Sequence, residues 1–136
     1  MLQIRQDQMY ALLKDDEAFV RWYRDEFMPR HLPEYHLSPI QEVSKREMIL
    51  QGRSYAQRFR LAEVPSQIHF ITLMFKIGPN FFEFPGFRDA LAARGVKESA
   101  IIDDLYRVSA ADAERAMKGA DERYWWPTLI PAEPKK

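Results

Sequence analysis

Cysteine is absent from the chain, and glycine is sparse: five residues, Gly52, Gly78, Gly86, Gly95 and Gly119, are scattered over 136 positions. Without thiols there is no disulfide and no cysteine nucleophile, and the thiolates that most structural zinc sites use are missing too. Scattered glycines make no loop able to cradle a pyrophosphate, so nucleotide hydrolysis has no support in the sequence. Net charge is also missing, because twenty basic and twenty acidic residues cancel and their signs alternate along the chain. Such a chain raises no field to gather phosphate backbones or anionic lipid, which argues against nucleic acid as a partner. No apolar run approaches the roughly 20 residues that span a bilayer. The opening Met1-Leu2-Gln3-Ile4-Arg5 lacks the basic-then-apolar order of a signal peptide. The expectation is a cytoplasmic chain without membrane insertion.

What is present is a globular composition, with 46% hydrophobic and 29% charged residues. A chain of this length hides roughly two thirds of its unfolded surface, enough for one adequate core and not for two. Residues 1–131 are therefore expected to form a single domain, with 132–136 as a frayed tail.

Apolar spacing of three and four residues dominates, and no useful strand-like alternation occurs. Met9, Leu12 and Leu13 predict a helix over about Ile4 to Lys14. Asp15 and Asp16 suit the start of the next, in which Phe19, Trp22, Tyr23 and Phe27 form an aromatic stripe ending near Pro29. The stripe reads as core. Pro29, His31, Pro33 and His36 predict an irregular connection, and Ser38-Pro39-Ile40-Gln41 a capped helix start. That helix is expected to reach about Phe59, with Ile40, Val43 and Leu50 on one line and Met48, Tyr55 and Phe59 on another. Gly52 in its middle signals close packing or a kink.

The segment opened by Pro65 is apolar nearly all round except for a line of His69, Thr72 and Lys76, as expected of a central helix. Gly78-Pro79-Asn80 ends it. Short helices follow over about Pro85 to Arg94, stopped by Gly95, and over Glu98 to Val108; Ser109 caps the last, with Ala113, Ala116, Met117 and Ala120 as a thin apolar face. Tyr124-Trp125-Trp126-Pro127-Thr128-Leu129-Ile130-Pro131 reads as an extended aromatic strap. The fold class is all-α, a compact bundle of six to seven helices.

No catalytic, cofactor or metal residue is assigned. His31 and His36 flank Glu34 at no known ligand spacing. His69 shares its line with Thr72 and Lys76 and has no orienting carboxylate, so it is expected to be hydrogen-bonded and partly buried. Paired acids such as Asp103-Asp104 are explained by solvation. Two aromatic groups have two readings: Phe81, Phe82, Phe84 and Phe87 in the loop, with Trp125 and Trp126 in the strap, either close the core or form a face for a protein partner. They are the candidate partner-binding residues.

The order of Ile4-Arg5-x-x-Gln8-Met9, then Arg53-x-Tyr55-Ala56 with Leu61, then Leu73-Met74 before Gly78-Pro79-x-Phe81 resembles a group of small bacterial proteins of unknown function. Those proteins are commonly encoded among type VI secretion spike, adaptor and effector genes. The resemblance spans about three quarters of the chain and names no active site. It implies a non-catalytic, protein-binding accessory, chaperone-like or adaptor-like, for a secreted effector or spike-tip protein. The alternatives are an immunity protein that neutralises a toxin, and a small enzyme using His69 with Lys76.

Overall fold

The computed structural model describes residues 6–36 and 42–126. All regular structure among the described residues is helical, with no strand, so the expected all-α class holds. The helices are α1 (Gln6–Leu12), α2 (Asp16–Trp22), α3 (Met28–His31), α4 (Pro33–His36), α5 (Glu42–Arg58), α6 (Val64–Lys76), α7 (Phe87–Leu91), α8 (Glu98–Tyr106) and α9 (Ala110–Lys118). The expected single domain over 1–131 meets a division inside α6: the chain clusters into two compact units, 1–72 and 73–136. The expected start at Ile4, the Ser38–Gln41 cap, the strap beyond Trp126 and the tail at 132–136 lie outside the described residues.

In the first unit, Asp15 caps α2 as its acid predicts, accepting from the Ala18 N–H at 2.9 Å. The helix does not stop at Pro29. It widens into a π turn, Tyr23–Phe27, in which the Met28 N–H reaches back to the Tyr23 carbonyl, continues as α3, breaks at Leu32 and resumes as α4. Pro29 stands in the first turn of α3 and Pro33 is the first residue of α4. For Pro33, which follows the non-helical Leu32, the missing N–H is one that a helix start leaves unsatisfied anyway; Pro29 lies inside a continuous helical run just past the π turn, where its fixed φ is already helical. Residues that promised an irregular connection therefore stand in helical turns. The extra residue of the π turn brings Phe27 against Trp22 at 5.5 Å and Tyr23 at 4.9 Å between ring centres, and His31 against Phe27 at 4.4 Å.

The residues that α5 buries are Lys45, Met48, Ile49, Gly52, Arg53, Tyr55 and Ala56, so Met48 and Tyr55 lie in the core as expected. Leu50 and Phe59, expected on buried lines, are only half-buried. The helix runs through Gly52 unbroken and ends in a Schellman motif: the Leu61 N–H donates to the Ala56 carbonyl and the Arg60 N–H to that of Gln57, each at 3.0 Å. Arg60 takes the left-handed position of that motif with φ 68°. In α6 the burial is nearly all round, as expected of a central helix. Its polar line is shorter than expected, because Thr72 is buried; the Thr72 hydroxyl donates to the Ile68 carbonyl at 2.7 Å and so accepts from the Tyr23 hydroxyl at 2.9 Å.

The second unit is closed by an asparagine. From the turn after α6, Asn80 donates through Nδ2 to the Gly119 carbonyl at 3.1 Å and accepts through Oδ1 from the Asp121 N–H at 2.9 Å. One side chain thus satisfies two backbone groups on the far side of α9. Ser109 caps α9 as predicted, accepting from the Asp112 N–H at 3.1 Å. The thin apolar face of α9 is only partly used, with Ala116 buried and Met117 half exposed. Helix α7 ends at Leu91, short of Gly95, and an Arg94 nitrogen donates to the carbonyls of Ala92 and Ala93 just beyond it. Gly119 has no freedom to grow: a Cβ there would meet Phe84 Cζ at 2.5 Å.

Two substitutions test these turns. Replacing Arg60 by glycine removes the steric cost of a left-handed residue, and urea unfolding should show a gain of about 0.5–1 kcal/mol. Gly119→Ala should lose about 1–3 kcal/mol by driving a methyl group into the Phe84 ring. An unchanged midpoint in either variant contradicts the corresponding contact.

Candidate functional site

The first unit buries the guanidinium of Arg53, a residue only 4% exposed. All of its nitrogens are engaged: Nε donates to Gln67 Oε1 at 2.8 Å, Nη1 to Asp16 Oδ1 at 2.9 Å and Nη2 to the Leu13 carbonyl at 2.8 Å. Its plane also lies over Phe19, 4.3 Å from the ring centre. Burial pulls its pKa below the usual arginine value, and the Asp16 carboxylate opposes that pull. An arginine remains charged at neutral pH even so. Gln67 passes the network on, donating through Nε2 to the carbonyls of Leu61 at 3.0 Å and Ala62 at 3.4 Å.

This network ties two stretches that are distant in sequence. Leu13 belongs to the turn that closes α1, and Leu61–Ala62 to the connection that leads into α6. Above it lies an open groove of about 380 Å³ lined, among the described residues, by Tyr10, Ala11 and Lys14 on one wall and by Ala62, Glu63, Val64 and Pro65 on the other. The network touches both sides of it: Leu13, bonded to Arg53, precedes Lys14 of one wall, and Ala62, bonded to Gln67, lines the other. The groove has a largely apolar lining interrupted by one cation, Lys14, and one anion, Glu63. No element of acid–base or nucleophilic chemistry was expected there, and the groove itself was not foreseen.

The candidate partner-binding residues lie elsewhere, and most are closed to a partner. Phe81, Phe82, Phe87 and Trp125 are buried, while Phe84 and Trp126 are half-buried. Phe81 meets Phe82 edge-on at 5.7 Å and Phe87 at 5.3 Å, Phe82 meets Tyr124 at 6.0 Å, and Trp125 lies tilted on Phe75 at 4.8 Å. Of the two readings, core closure describes these four. The cause is local. Residues Phe81–Glu83 and Glu122–Trp125 are 3-10 turns rather than extended chain, which turns the rings inward against each other. His69 is exposed on α6, not partly buried as expected.

Charge pairs decorate both units. Glu17 accepts from Arg46, and that hydrogen bond holds its carboxyl below the usual range. Asp121 accepts from both the side chain and the backbone N–H of Arg123, at 2.9–3.0 Å, and is likewise held low. Among the described residues no group of histidines and carboxylates is arranged to hold a metal ion, and no helix is long and apolar enough to cross a membrane.

In comparisons with protein-family models, with curated proteins and with solved structures, nothing matches this chain.

Removing Arg53 leaves the Leu13 carbonyl and the Gln67 amide without their donor. Arg53→Met should therefore cost about 3 kcal/mol or more in urea unfolding, and a double-mutant cycle with Gln67→Ala should return a coupling of about 0.5–3 kcal/mol. Additive losses would show that the two side chains do not act together. A second measurement concerns pH. Because Asp121 is held below its unfolded value, its contribution is complete at neutral pH and persists down to about pH 4, then disappears as pH falls through the depressed folded value. The near-ultraviolet circular dichroism of Trp125, the last residue of the turn that Asp121 caps, should fall in that acidic window, and Asp121→Asn should abolish that component.

Proposed function

We propose that this chain is a non-catalytic, protein-binding accessory of a type VI secretion system, holding a secreted effector or a spike-tip protein through the groove between α1 and the start of α6. The observation that carries the reading is the groove, both sides of which adjoin the Arg53–Gln67 network. Its lining is largely apolar, interrupted by one cation and one anion. The resemblance supplies the kind of partner, and two of the residues that carry it, Arg53 and Leu61, belong to the network beneath the groove. That coincidence favours a shared framework for binding over a shared chemistry.

The aromatic loop and tryptophan pair have no part in this reading, since four of their six rings are buried. Leu12, 66% exposed on α1, is a better candidate for contact beyond the groove.

Co-expression with the products of neighbouring effector and spike genes is expected to give a complex stable at micromolar concentration. Ala11→Trp fills the groove from an exposed position. It should weaken that complex at least tenfold while the unfolding free energy stays within about 0.5 kcal/mol of the parent. Separate elution of every neighbour overturns the proposal. Protection of cells against a co-expressed toxin, without any requirement in delivery, would replace it by an immunity role.

A further inference from the structure

We draw no further inference here: the strongest candidate, the half-exposed aromatic ladder of Trp22, Phe27 and His31 along the π turn of the first unit, is an unpartnered face and nothing in the structure shows what covers it.

Discussion

A buried guanidinium is the constraint around which the first unit is organised. Taking a cation out of water is costly, and the cost is tolerable only when its donors are all engaged. Arg53 meets that condition with a carboxylate and a main-chain carbonyl from the junction of α1 and α2, an amide from α6, and an aromatic face. Its carboxylate partner is exposed, so the charge is neutralised at the edge of the protein while the fork itself is dry. Each partner has to stand where the fork points. The position of α1 against α5, and of the 61–62 connection against α6, follows from the planar geometry of one side chain.

The second unit solves a similar problem without charge. Asn80 offers a donor and an acceptor in one plane, as a peptide group does, and the backbone around Gly119 and Asp121 pairs with it as it would with another strand of chain. Phe84 can then lie directly on Gly119, and the remaining phenylalanines pack edge to face behind it. The first unit is thus held by an ionic fork, the second by a neutral clip of similar sequence reach and a cluster of rings.

Much of the fold was legible from residue spacing, and the exceptions share a cause. Helical periodicity identified the all-α class, and short acids and hydroxyls marked true caps at Asp15 and Ser109, because those signals depend only on neighbours along the chain. The buried face of α5 was read only in part: Met48 and Tyr55 are buried as expected, but Lys45 and Arg53 were missed because they are charged, and polarity normally marks the solvent side. Pro33 was misread because a proline that ends one helix can equally begin another, and Pro29 because the π turn before it carries the helix on. The aromatic loop was ambiguous because composition cannot say which way a ring turns. The groove was invisible for a stronger reason: Ala11 and Ala62 are ordinary residues, some fifty positions apart, brought opposite each other only in the folded chain.

The π turn has one more consequence, for the length of the chain. A π turn holds one residue more than the α-helix on either side of it requires. The faces before Tyr23 and after Phe27 would stay in phase if one residue between them were lost, whereas a loss elsewhere in a helix rotates everything beyond it by about 100°. Residues 24–26 are therefore where this fold can change length by one without disturbing its interior, and a comparison of related chains should tolerate a gap there.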